Sequence, residues 1–492
     1  MATFQTAATV ANLPNYVGGR WLEATGVDTL EDRDPSSGDV LARVPLSGDA
    51  EVDAAVAAAR DARPAWRAVP VQARARAVLA LRDALLEHRR ELAQLVASDM
   101  GKTVDDADAE VGRGIESVEA AAAVPHVIKG ETLEGVATGV DVALFREPVG
   151  VVAAITPFNF PAMIPLWFLP YAIATGNTFV LKPSEQDPLP TQRIVQLVDA
   201  IEEIPAGVVN LVHGSRDAVV ALLDHPDVDA VSFVGSAATA QFIASRACAS
   251  GKRVQALGGA KNAMVVLPDA ERMAMVSGVL GSAFGAAGQR CLAGSVAVLV
   301  GSRPQQDDAL EAIAGRAGAL RLGPGTNPET DVCPLVSSAS RERLVSEIEA
   351  AVSAGARLVL DGRTPDPGPG GTLLGPTILD GLEPESRWLR EELFGPVLCV
   401  HRVPDLESAL DWCNGSRYGN SAMLFTASGG AARAFRHGIQ AGMIGINIGV
   451  AAPVAWFPFA GFKDSFQGDL HANGRDAFDF YTRRKVVTSR WP

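Results

Sequence analysis

Residues 149–186 read VGVVAAITPFNFPAMIPLWFLPYAIATGNTFVLKPSEQ, and their order decides the fold. A short apolar run, 151–155, ends in Thr156-Pro-Phe-Asn-Phe-Pro161. A long apolar stretch of helical length follows. A second short run, 178–182, then ends in Lys182-Pro-Ser-Glu185. The two short runs are apolar throughout rather than alternating, as strands covered on both faces are. Strand, helix and strand at this interval predict a parallel βαβ unit.

The pattern extends in both directions. Downstream, strands are expected at 208–213 and 230–234, with helical runs between them. After Gly258-Gly259 the alternation resumes, with strands at 263–266 and 295–300 and a helix over 307–319. Upstream, 49–125 reads as mostly helical, interrupted at Pro64 and Pro70 and broken again at Gly101-Lys102-Thr103. A short strand is expected around 142–146, a Pro- and Gly-rich surface loop over 361–375, and a terminal strand at 486–488.

The chain has 492 residues, 48% hydrophobic and 20% charged, an ordinary globular balance for two or three domains. Its 43 basic and 57 acidic side chains give a net charge of −14, which argues against nucleic acid or an anionic membrane as main partner. The 5 cysteines form no C-x-x-C pair and suit a reducing compartment. Met1 to Pro14 lacks the layout of a secretory signal, and no apolar stretch reaches the length of a membrane span. These readings predict a cytoplasmic protein. Seven histidines without H-E-x-x-H or a Cys/His cluster predict no metal site. The G-x-S-x-G and P-loop patterns are missing, which argues against a serine hydrolase or NTPase, and G-x-G-x-x-G is missing too, so any dinucleotide is held in some other way.

Several residues have the right chemistry in the right place. Cys291, in Gly288-Gln-Arg-Cys291, follows a helical run and has Arg290 beside it, a cation that favours the thiolate. Asn159 follows a strand, where its amide can donate to an oxyanion. Lys182 and Glu185 follow the next strand, where they can bond ribose hydroxyls, and the carboxylate disfavours a 2′-phosphate. Gly235 and Ser236 end a strand and open a helix, a place for phosphate. Arg113 stands between two glycines in a helical run, a costly arrangement that implies close packing or a nearby ligand. If Arg113 and Arg290 share a pocket, they select a carboxylate. Taken singly, each residue also has an ordinary reading: a packed cysteine, a turn Asn, a solvated charge pair, a Ser helix cap, or an arginine ion-paired to a neighbour.

In combination, Pro157-Phe-Asn-Phe-Pro161, Lys182-Pro-Ser-Glu185, Phe233-Val-Gly-Ser236, Leu257-Gly-Gly259, Gly288-Gln-Arg-Cys291 and Glu391-Glu-Leu-Phe-Gly-Pro396 resemble the aldehyde dehydrogenase superfamily, over essentially the whole chain. The resemblance implies that Cys291 is the nucleophile and Asn159 the oxyanion donor. It places NAD against Lys182, Glu185, Ser236 and Glu392, with Thr156, Phe158, Gln186, Gly235 and Gly258 beside them. Hydrolytic members carry a glutamate where this chain has Ala256, so an external thiol becomes the expected acceptor. Gly112-Arg-Gly114, Gly259-Ala-Lys-Asn262, Gly442-Met-Ile-Gly-Ile-Asn447 and Phe457-Pro-Phe-Ala-Gly-Phe-Lys463 are similar to the CoA-acylating methylmalonate-semialdehyde dehydrogenase branch. That branch holds its substrate carboxylate with two arginines, which fall on Arg113 and Arg290.

The expectation is therefore an α/β protein in three parts. A Rossmann-type NAD domain takes 1–128 and 150–257, and an α/β catalytic domain takes 258–450. A small β element from 129–149 and 451–492 serves oligomerisation, its tail strand pairing across a subunit boundary in a tetramer built of dimers. The implied reaction oxidises a semialdehyde with NAD and passes the acyl group to coenzyme A as co-substrate. The alternative is a hydrolytic semialdehyde dehydrogenase that yields a free acid.

Overall fold

Three larger sheets organise the described residues, beside two two-stranded ones, and helices fill the spaces between and around them. The structure, a computed structural model, describes residues 10–363 and 366–491. Residues 1–9, on which part of the N-terminal reading rests, and 364–365 in the Pro- and Gly-rich loop lie outside the described residues.

The first sheet runs, in spatial order, Arg20–Leu22, Asn15–Val17, Val209–Leu211, Thr178–Lys182, Val151–Ile155, Ala230–Gly235, Arg253–Gly258 and Phe466–Gly468. The five strands from Val209–Leu211 to Arg253–Gly258 are parallel. Val151–Ile155 lies in the middle of them. The next two strands in sequence step out to one side and the following two to the other. This reversal opens a crevice at the carboxyl ends of the strands, where ligands bind in such sheets. The expected strands are all present, with Val151–Ile155 and Thr178–Lys182 buried throughout.

The second sheet runs Arg357–Leu360, Thr377–Asp380, Val397–Val403, Gly294–Val300, Asn262–Val266, Ser421–Phe425 and Met443–Ile446, parallel except at its first strand. It has its own hydrophobic core. The third sheet orders Thr482–Arg490, Val140–Pro148 and Glu131–Ala137.

The C-terminal tail contributes to two sheets, and the first helix runs through its proline. The terminal strand pairs antiparallel with Val140–Pro148 of its own chain, Val486 opposite Leu144, and its other edge is the outer edge of that sheet. The tail before it divides: Phe466–Gly468 adds to the first sheet against Arg253–Gly258, and Phe478, Phe480 and Tyr481 join the core of that sheet. Pro64 does not interrupt its helix. It lies on the exposed face of α1 (Asp49–Ala68), whose far end is held by the buried Trp66, with Nε1 donating to the Ile173 carbonyl at 3.0 Å.

Beyond Pro70 the chain forms α2 (Val71–Glu87), α3 (Arg89–Asp99), α4 (Val104–Ala122), a short α5 (Val124–Val127) and, after the first central strand, α6 (Met163–Ala174). The glycines flanking Arg113 on α4 are explained by packing. A Cβ on Gly114 would come 2.7 Å from Leu166 Cδ1 on α6, and one on Gly112 would come 3.0 Å from the Arg89 guanidinium.

Candidate active site

Cys291 lies where two cavities meet. One, about 750 Å³, follows the crevice of the first sheet, and the other, about 250 Å³, lies between α4, α6 and the loop around Pro453. The loop that carries Cys291 leaves the helix Arg272–Phe284 through a tight left-handed turn, with Ala286 and Ala287 at φ 48° and 52°. Such values are costly for residues with a Cβ and persist only where surroundings enforce them. Gly288 completes the turn at φ +69°, so close to Gly395 that a Cβ would meet its carbonyl oxygen at 2.3 Å.

Amide side chains then fix the loop. The Cys291 carbonyl accepts from Asn420 Nδ2 at 2.8 Å and Asn262 Nδ2 at 2.9 Å. Asn159 Nδ2 donates to the Gln289 carbonyl at 3.0 Å and lies 3.6 Å from Cys291 Sγ. The sulfur and an amide donor thus share one wall, in position to meet a carbonyl carbon and its oxygen.

The thiol is not activated in the way the sequence suggests. Burial pushes it up to about 11, opposed by the Asn159 hydrogen bond and helped by the Glu392 charge. Arg290 does not face the sulfur. Its Nη2 donates to Asp106 Oδ1 at 2.9 Å. At neutral pH the free protein therefore holds Cys291 as the thiol. Burial also pushes Glu392 up to about 7, against the pull of Lys261, and this makes it a carboxyl group in the larger cavity that titrates near neutrality.

Ala256 does not line the larger cavity. Along the strand Arg253–Gly258 side chains alternate, and Ala256 faces the core with Phe233 and Ile243, fully buried. Leu257, Gly258, Gly259 and Ala260 are the residues of this segment that line the larger cavity. None of them titrates, so this segment brings no carboxylate to Cys291.

Every cofactor residue proposed from sequence lines the larger cavity: Thr156, Phe158, Lys182, Glu185, Gln186, Gly235, Ser236, Gly258 and Glu392. Lys182 Nζ donates to Glu185 Oε2 at 2.7 Å. Ser236 caps the helix Ala237–Ala249, its Oγ accepting from the Thr239 amide at 3.3 Å. Phe158 meets Phe394 edge-on at 5.8 Å. The cavity fits a dinucleotide on two observations. Thr156 Oγ1 is buried without a partner. A Cβ on Gly258 would come within 2.8 Å of the Gly235 and Ser236 carbonyls, so the floor there is bare backbone, open to close approach. Among the described residues no group of three or more His, Cys, Asp or Glu is placed to hold a metal ion.

The smaller cavity takes Arg113 and Arg290 together with Cys291. Each arginine also has a carboxylate partner, as its ordinary reading holds: Arg113 Nη1 to Glu116 at 2.9 Å, and Arg290 to Asp106. Arg113 Nη2 further donates to the Pro453 carbonyl at 2.7 Å. Lys102, Asp106 and Glu110 line the same cavity and were not singled out from sequence. Lys102 and Glu110 form a buried pair at 2.5 Å. Glu110 Oε1 accepts from the amides of Ala162 and Met163, and so anchors the loop that carries Asn159. Lys102 also lies over the Phe160 ring, 3.7 Å from its centroid. The break at Gly101-Lys102-Thr103 and the four-residue spacing of Asp106 and Glu110 along α4 were the available signals.

This arrangement, a crevice at the carboxyl ends of parallel strands that meets a cysteine and an amide donor, matches a dehydrogenase of the aldehyde-oxidising class. The aldehyde dehydrogenase family model matches residues 21–487, and the chain belongs to that family. It is similar to malonate-semialdehyde dehydrogenase 1 of Geobacillus kaustophilus, 47% identical over 97% of this chain and 98% of that protein. It is likewise 47% identical to malonate-semialdehyde dehydrogenase 2 of Shouchella clausii, over 99% of both. Among solved structures it superposes on methylmalonate-semialdehyde dehydrogenase of Oceanimonas doudoroffii with TM-score 0.95 at 42% identity, covering 98% of this chain and 99% of that one. A Sinorhizobium meliloti structure described as a methylmalonate-semialdehyde dehydrogenase complexed with NAD gives TM-score 0.96 at 39% identity, covering 99% of each chain.

Proposed function

We propose that the protein oxidises malonate semialdehyde or methylmalonate semialdehyde with NAD, releases CO₂ and transfers the acyl group to coenzyme A, giving acetyl-CoA or propionyl-CoA. The observation that carries this reading is the smaller cavity, in which Arg113 and Arg290 line one chamber with Cys291. The names of the relatives support the same substrates.

The steps follow from the residues. Cys291 gives its proton to solvent as its sulfur attacks the aldehyde carbon. A C–S bond forms, and the carbonyl electron pair becomes an oxyanion that Asn159 Nδ2 and the Cys291 backbone N–H stabilise. Lys182, Glu185, Ser236 and Glu392 would hold NAD, which would supply the hydride acceptor; loss of that hydride from the former aldehyde carbon leaves a thioester on Cys291. Arg113 and Arg290 hold the substrate carboxylate. When the bond to that carboxylate breaks, CO₂ leaves and its electron pair passes into the thioester as an enolate. The Asn159 wall steadies this enolate until it takes a proton. The CoA thiolate then attacks the thioester carbon and Cys291 is released. The segment Leu257–Ala260 offers no base to activate water, which favours the thiol acceptor.

The hydrolytic alternative, giving a free acid, would use Glu392, which burial pushes up to about 7. The two are separated by following NADH from both semialdehydes with and without CoA and identifying the products. The proposal expects turnover that requires CoA and yields acyl-CoA and CO₂. Fast turnover without CoA to a free acid refutes it.

A homo-oligomer, a tetramer built of dimers, belongs to the same proposal. Leu133, Phe145 and Val486 on the three-stranded sheet are 65%, 53% and 61% exposed, apolar surface of the kind subunit contacts cover. A cytoplasmic setting suits the free thiols of Cys248, Cys291, Cys333, Cys399 and Cys413. Among the described residues no helix is long and apolar enough to cross a membrane.

A further inference from the structure

We propose that Asp106 is a specificity-determining residue: it braces one edge of the Arg290 guanidinium, and its charge weakens the grip of the other edge on the substrate carboxylate. The inference rests on the reading of the substrate as a carboxylate-bearing aldehyde.

The geometry shows how Arg290 is held. Its guanidinium lies against Gly285, where a Cβ would come 2.7 Å from Nη2 and 2.8 Å from Nη1. Bare backbone on that side fixes the plane of the group. Asp106 fixes its rotation within the plane through a single contact, Nη2 to Oδ1 at 2.9 Å. The pair is one-pronged, not the two-pronged fork that arginine makes with a carboxylate it binds fully. Among the described residues Nη1 reaches only the Gly281 carbonyl, at 3.4 Å, and Nε makes no hydrogen bond. Arg290 is therefore positioned and still has donors for an incoming anion.

Asp106 comes from the same helix as Arg113, in the first turn of α4, with its own amide donating to Thr103 Oγ1 at 3.2 Å. Both residues line the cavity. A substrate carboxylate seated between the two arginines therefore has Asp106 as a like-charged neighbour across Arg290. The carboxylate bound there is the group that leaves as CO₂. Holding it too firmly would stabilise the ground state of that step over its transition state. Asp106 limits the hold while keeping Arg290 in place.

Two variants separate brace from charge. Asp106→Asn keeps an oxygen for Nη2 and removes the charge. Asp106→Ala removes both. The readout is the ratio of KM for propanal to KM for malonate semialdehyde, from NADH formation with NAD and CoA. Both side chains are partly exposed, 34% and 18%, which moderates the effect. The ratio is expected to rise about 3- to 10-fold in the Asn variant and to fall below wild type in the Ala variant. A ratio that is unchanged or lower in the Asn variant overturns the inference, since a merely structural role gives that result. If the wild-type protein does not prefer malonate semialdehyde to propanal, the carboxylate reading itself fails, and the Asp106 inference with it.

Discussion

Replacing Arg113 by Met tests the carboxylate pocket most directly. Arg113 spends Nη1 on Glu116 at 2.9 Å and Nη2 on the Pro453 carbonyl at 2.7 Å. The Arg113 and Glu116 side chains are 32% and 43% exposed, so their ion pair contributes only about 0–1 kcal/mol to stability. The variant should fold, with a melting temperature within about 2 °C of wild type. The substrate carboxylate, by contrast, loses a charge-assisted hydrogen bond, of the kind worth about 1.5–3 kcal/mol. Because Arg113 is a third exposed, water replaces part of that contact, and the lower half of the range applies. About 1.5–2 kcal/mol corresponds to a KM for malonate semialdehyde raised roughly 10- to 30-fold. Arg113→Lys should fall between, since it keeps the charge and loses the fork. The assay is initial-rate NADH formation with NAD and CoA, run in parallel on propanal. An equal loss with propanal, or an unchanged KM for the semialdehyde, would refute the carboxylate role.

Other perturbations address the remaining parts of the site. Alkylation of Cys291 by iodoacetamide in the free protein should keep accelerating through pH 9 and 10, because burial pushes the thiol up to about 11; a plateau below pH 9 would contradict this. NAD binding should tighten as pH rises through about 7. Burial raises Glu392 to that value, so the carboxylate able to accept ribose hydroxyls forms only above it. Glu392→Gln should flatten that pH dependence in a fluorescence titration. Gly285→Ala should fold normally, since its Cβ meets only the movable tip of Arg290 at 2.7 Å, and yet raise the KM for malonate semialdehyde about 10-fold by displacing that tip. An unchanged KM would show that Arg290 can bind the carboxylate from elsewhere.

The parallel strands were legible because strands covered on both faces must be apolar along their length. Val151–Ile155 and Thr178–Lys182 could be read without any knowledge of their neighbours. The short edge strands Arg20–Leu22 and Phe466–Gly468 could not, since three residues carry no period and their pairing depends on where other chain segments arrive. Pro64 misleads because the cost of a helix proline is a local rule, whereas the burial of Trp66 that holds α1 together is tertiary. The site was legible in its strand-end residues, which follow from topology. Its charges were not. Sequence adjacency put Arg290 beside Cys291, but the guanidinium turns to Asp106, which is 184 residues away along the chain. Ala256 and Leu257 differ by one position and so face opposite sides of one strand, a distinction that needs the register.

The charges of the smaller cavity can be balanced residue by residue, and the balance bears on the proposed chemistry. Lys102 is paired with Glu110, Arg113 with Glu116 and Arg290 with Asp106. Each cation is thus matched before substrate arrives. A cavity with a surplus of positive charge would hold a substrate carboxylate strongly and resist its loss. A matched cavity gains net negative charge when the carboxylate enters, and returns to balance when CO₂ departs and the electron pair moves to the thioester oxygen. Asn159, whose Nδ2 is 3.6 Å from Cys291 Sγ, would take that oxygen, and it lines the larger cavity whereas the paired charges line the smaller. Decarboxylation therefore carries charge out of a cavity already balanced without it and toward a wall built of neutral donors. Fixed dipoles stabilise such an oxyanion without having to reorganise. The same carboxylates that moderate the arginines thus favour the step that distinguishes this substrate class from simple aldehydes.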